Sequence, residues 1–109
     1  MQFKELIDDI KTCAFDEIRV DTNSFFEAVI MKNNLEALNA KLSSVFGAPI
    51  WPSENKLSDE ASSIIKNHGG IMGGQTLYFT HMENDPVFVM FWPWGDKEHV
   101  TVKIGREGE

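Results

Sequence analysis

The 109-residue sequence predicts an α+β domain: three helices packed with an antiparallel sheet of four to five strands, in the order α-β-β-α-α-β-β-β. Three observations carry that expectation. The last third holds three β-rich runs joined by short turn sequences, the first third changes from a helical period to strict alternation, and two Gly/Pro-punctuated stretches with a 3.6-residue apolar period lie between.

Residues 3–14 place Phe3, Leu6, Ile7, Ile10 and Ala14 on one helical face, which predicts the first helix. From Phe15 the period becomes two. Ile18 and Val20 alternate with Glu17, Arg19 and Asp21, and Thr22-Asn23-Ser24 turns the chain into Phe25–Met31, a run rich in β-formers. A hairpin is the preferred reading, and one long helix over 24–46 capped by Ser24 is the competitor. Asn33 and Glu36 have capping-box spacing, so a second helix is expected to start there, with Leu35, Leu38, Leu42 and Val45 as its stripe and Gly47 and Pro49 as its stop. Residues 47–57 read as a loop pinned by Ile50 and Trp51. A third helix is expected from Ser58 as N-cap, with Asp59 and Glu60 in its first turn, Ala61, Ile64 and Ile65 facing inward, and Gly69-Gly70 ending it. Thr76–Met82, Val87–Trp92 and His99–Ile104 then form a meander.

Composition narrows function more by exclusion than by assignment. Hydrophobic residues make up 42% and charged residues 25%, the profile of one folded domain over 1–109. The longest apolar run, Pro86 to Gly95, falls far short of the roughly 18–20 residues of a membrane-spanning helix. The amino-terminal stretch carries acids where a signal peptide would be basic and then apolar, so a cytoplasmic location is expected. A net charge of −7, with no basic patch, argues against nucleic-acid and membrane partners. The same charge leaves room for an acidic inhibitor seated on a basic protein surface.

No catalytic signature is present. The sequence lacks GxSxG, HExxH and CxxC motifs. Gly69-Gly70-Ile71-Met72-Gly73-Gly74 follows a helix rather than preceding one, which is the wrong dipole end for a phosphate loop and suits a C-cap and a hinge. Asp8 and Asp9, like Asp16 and Glu17, are chain neighbours that diverge and make no acid/base couple. Cys13 reads as a small buried hydrophobe. His68 suits the last turn of its helix, and strand parity sends His81 and His99 to opposite faces, which rejects a shared metal site. No cofactor is expected, and enzymatic activity is not the preferred reading.

One surface stands out. Parity gives Val100, Val102 and Ile104 to the core, and Leu77 with Phe79 is the natural core pair of its strand, leaving Tyr78 and Met82 on the outer face. The middle strand is apolar on both sides: Val87, Val89 and Phe91 on one, Phe88, Met90 and Trp92 on the other. A half-solvated sheet should alternate polar with apolar, so the outer face needs a cover. It is expected to be a helix of the same chain, a subunit interface in a homodimer or with another protein, or a ligand pocket. Phe91-Trp92-Pro93-Trp94-Gly95 at its end reads as a recognition corner or as a rigid hairpin turn. The candidate interface or ligand-binding residues are therefore Tyr78, Met82, Phe88, Met90, Trp92, Trp94 and His99. The leading expectation is a non-enzymatic binding module, most simply a homodimer; the alternative is a small-molecule site or small enzyme lined by Tyr78, Trp92, Trp94 and His99.

Overall fold

The computed structural model describes residues 2–51, 59–67, 69–70 and 75–107. The predicted Ser58 cap, His68 and the 71–74 part of the glycine segment lie outside the described residues.

Helix α1 (Phe3–Ile10) buries Phe3, Leu6, Ile7 and Ile10, and its first amide is met by Glu5, whose Oε1 accepts the Gln2 N–H at 3.2 Å. It stops four residues earlier than the apolar period allows. The Thr12 and Cys13 amides turn back to the Asp9 and Ile10 carbonyls at 3.1 and 2.9 Å, and the Thr12 hydroxyl donates to Asp9 C=O at 2.7 Å, which tightens and closes the last turn. Cys13 packs half-buried against the core, and burial pushes its thiol pKa up, away from the reactive thiolate.

The chain then forms β1 (Glu17–Asp21) and β2 (Phe25–Met31), so the hairpin reading holds over the long helix. Thr22 fixes the turn: its hydroxyl donates to Phe25 C=O at 3.1 Å and accepts the Phe25 N–H at 3.0 Å. The predicted Asn33 capping box does not form. A 3₁₀ turn (Lys32–Asn34) leads directly into α2 (Leu35–Phe46), and the Leu35 amide bonds back to Lys32 C=O, so Asn33 lies inside a helical turn rather than at the N-cap position the box requires. Gly47, at φ 77°, ends α2 in the left-handed region as predicted.

Helix α3 (Asp59–Lys66) precedes β3 (Thr76–Met82), β4 (Asp85–Pro93) and β5 (His99–Arg106). Glu83 and Asn84, both at positive φ (51° and 73°), make the two-residue turn between β3 and β4. The meander docks on the hairpin through antiparallel β2–β5 pairing, so the five strands lie in the order β1-β2-β5-β4-β3. Ile50 and Trp51 pin the start of the predicted loop by backbone hydrogen bonds with Leu77 at the β3 edge, and its residues 52–57 lie outside the described residues.

Register corrects the assignment of faces. Tyr78 lies opposite Val89, and Val89 opposite Ile104, so Tyr78 and Met82 belong with Val100 and Val102 to the main core, under α1 and α2. Leu77 pairs with Met90, and Met90 with Lys103, on the second face. Leu77 and Phe79 were expected inside because they are apolar. With both faces covered, apolarity does not discriminate, and what decides is that the Tyr78 hydroxyl can donate to Asn39 Oδ1 of α2 at 3.0 Å. Ile64 and Ile65 of α3, with Ile50 and Trp51, cover Leu77, Phe88 and Met90. The lid over this part of the outer face is thus a helix of the same chain, and α1 and α2 on one side and α3 on the other straddle the sheet.

Candidate binding surface

The second face divides along its width. Over β3 and β4 it is closed by α3, while over β1, β2 and β5 its cross-strand rows stay partly open among the described residues. One such row is Val20, Glu27 and Lys103; the next is Glu17, Val29, Thr101 and Trp92. Val20, Glu27, Lys103 and Trp92 are half-buried and Glu17 is exposed, while Val29 and Thr101 at the middle of the second row are buried. A bulge in β1 adds Arg19 between Ile18 and Val20, and such an extra residue re-aims a side chain. Here it carries the Arg19 guanidinium carbon to 5.7 Å from the Trp94 ring centroid and leaves Ile18 48% exposed.

The β4–β5 turn organises the end of this surface. Lys97 N–H bonds to Trp94 C=O at 3.2 Å, Trp94 N–H bonds to His99 C=O at 2.9 Å, and Lys97 takes up φ 63°. Asp96 is the clasp. Its Oδ1 accepts the Glu98 and His99 amides at 2.9 and 3.0 Å, and its Oδ2 lies 2.5 Å from His99 Nδ1. His99 Nε2 stands 3.9 Å from an Asp16 oxygen. Against the imidazole the Trp94 ring stacks at 4.7 Å between centroids and 26° between planes, and its Nε1–H donates to Thr101 Oγ1 at 2.8 Å. The indole is therefore immobilised yet 37% exposed. Beside it the Lys103 ammonium lies 4.1 Å over the Trp92 ring. The far edge of that ring reaches Gly69 past the end of α3, where a Cβ would come within 2.8 Å of Cη2 and where φ of 99° independently favours glycine.

The two backbone amides, and after them His99, hold the Asp96 carboxyl down at about 2. Because the folded value lies below the roughly 3.9 of an unfolded chain, Asp96 supports the fold above about pH 4, and that support is lost as pH falls through about 2. Asp96→Asn should therefore lower the melting temperature at neutral pH, and the gap from the parent protein should close near pH 2. A gap constant with pH would show that the charge is not what holds the turn.

Of the predicted site residues, Trp92, Trp94 and His99 come together here. Phe88 and Met90 share their face but are fully buried beside α3, and Tyr78 and Met82 lie on the opposite face, so the pocket expected from Tyr78, Trp92, Trp94 and His99 is not assembled. His81 is also corrected: it shares the second face with His99, but the register sets it level with Pro86 and Glu107, eight residues along β5 from His99 or roughly 25 Å. It pairs instead with Glu60 of α3 at 3.0 Å. Asp96, Glu98 and His99 bring donor atoms within 4.8 Å of one another, but Asp96 and His99 Nδ1 are committed to the turn, and the set reads as a clasp rather than a cation site.

Comparison with protein-family models, with curated proteins and with solved structures gave no match. The reading therefore rests on geometry. Arg19, Asp96, Thr101 and Lys103 were not among the sequence candidates. Asp96 carried a legible signal, an acid three residues before His99 in a turn, whereas Arg19 becomes part of the site only through a bulge that alternation does not reveal.

Proposed function

We propose that the protein is a non-enzymatic binding module that works through the open half of the second sheet face and its Trp94–His99 corner, and that its partner there is a second copy of the chain. The observation that carries this reading is the pairing of two partly exposed indoles with cations, Trp94 with Arg19 and Trp92 with Lys103, at the margin of the cluster that α3 covers. Tryptophan and arginine are the residues most enriched in the energetic centres of protein interfaces. The surface carries Glu17, which pairs with Arg19 at 3.1 Å, and Glu27 beside Lys103, so a two-fold rotation about an axis between these pairs can set acid against base; a partner of uniform charge would meet repulsion from half of it.

Sedimentation equilibrium tests the reading. The mass should rise with concentration from 12.4 kDa toward twice that value, and Trp94→Ala and Lys103→Glu should each return it to the monomer. A mass of one chain throughout, or association untouched by both substitutions, contradicts the proposal.

A further inference from the structure

A cleft of about 420 Å³ opens between the exposed flank of α1 and the β1–β2 turn, at the carboxy-terminal end of β5. That volume lies within the range of small-molecule sites. Phe3 and Ile7, almost fully buried, form its floor, and Lys4, Lys11 and Arg106 stand around it, three of the chain's ten cationic side chains. The turn that forms one wall is rigid, held by the Thr22 hydroxyl bonds.

The three cations are not equivalent. Lys4 pairs with Asp8 at 2.7 Å and Lys11 pairs with Asp21, both in contact with solvent, where such pairs are weak and exchange readily. Arg106 is held differently. Its guanidinium lies 5.4 Å from the Phe3 ring centroid and donates from one terminal nitrogen to the Asn23 backbone carbonyl at 3.2 Å. Asp85 stands 3.9 Å from its Nε, too far for a hydrogen bond. A neutral carbonyl and an aromatic ring thus fix the plane of a fork with five N–H donors, while among the described residues no carboxylate occupies it bidentately. The same side chain lines an adjoining cleft of about 150 Å³, so it stands at the junction of two cavities.

We propose that this cleft is a binding site for a small organic anion, its carboxylate or phosphate group received by the Arg106 fork, with Lys4 and Lys11 providing the flanking charge. The site is separate from the second sheet face and stands or falls independently of the reading given for it. Two-dimensional ¹H–¹⁵N NMR titrations with inorganic phosphate and with succinate, against sodium chloride at matched ionic strength, test it. Saturable shifts are expected at the amides of Ile7, Asn23 and Arg106. Affinity should fall about tenfold or more in Arg106→Lys, which keeps the charge over Phe3 but loses the fork, and by less in Lys4→Gln, whose side chain is exposed enough to leave folding intact. Saturation by phosphate alone assigns a phosphate head group, and saturation by succinate alone a carboxylate. Absence of saturable shifts with either anion, or shifts unchanged in both variants, overturns the proposal.

Discussion

Phe88→Ala should destabilise the domain by about 3–5 kcal/mol, a large part of the roughly 5–15 kcal/mol available to a domain of this size. The ring is fully buried within the cluster that α3 closes over the sheet, so its removal forfeits transfer energy and leaves a cavity that packed strands cannot collapse into. Were the second face open to water, the same substitution would be close to neutral. Denaturant unfolding decides between the two: the midpoint should fall with the slope unchanged, and a shift worth less than about 1 kcal/mol would mean that α3 does not cover this strand. Phe88→Leu, which retains most of the volume, should give a smaller loss and keep the protein measurable if the alanine variant is too unstable.

Gly105→Ala should also be strongly destabilising, although alanine is the better strand residue by about 0.5–1 kcal/mol when nothing obstructs it. Gly105 lies directly opposite Phe88 on β4 and Phe25 on β2. A Cβ there would sit 2.4–2.5 Å from two Phe88 ring carbons, with Phe25 at 3.4 Å on the other side. The ring is buried and cannot swing clear, so strand or ring must shift, for a loss of about 1–3 kcal/mol. The sign provides the control. In a Phe88→Leu background the obstruction is reduced, and Gly105→Ala should become close to neutral, with the difference appearing as a coupling energy in the double-mutant cycle. Equal losses in both backgrounds would contradict the packing described.

Every predicted element exists, and the particular signals that announced them are physical. The Phe3–Ile10 period, the Gly47 stop and the alternation of Val100, Val102 and Ile104 each record which side of a backbone meets the core. The two-sided β4 strand announced that this strand is covered on both faces. That same property hid which face was which. Where Leu77 and Tyr78 are both buried, hydropathy cannot order them, and the deciding contact, Tyr78 to Asn39, spans 39 residues. The docking of β2 on β5 was equally out of reach, because it joins segments about 70 residues apart with no turn between them. The candidate surface was legible in its aromatic residues and illegible in its charged ones. Trp92, Trp94 and His99 stand out in composition, but Arg19 and Lys103 take their places through a bulge and a cross-strand register. The opposite error, counting Phe88 and Met90 as surface, came from not knowing which side of the sheet α3 would take.

The central claim is that the open half of the second face is where copies of the chain meet, and amide chemical shifts followed through a dilution series examine it residue by residue. Shifts confined to Val20, Glu27, Trp92, Trp94, His99 and Lys103, with α1 and α3 unmoved, are the predicted result. Invariant spectra at every concentration, or movement centred on another surface, would contradict it.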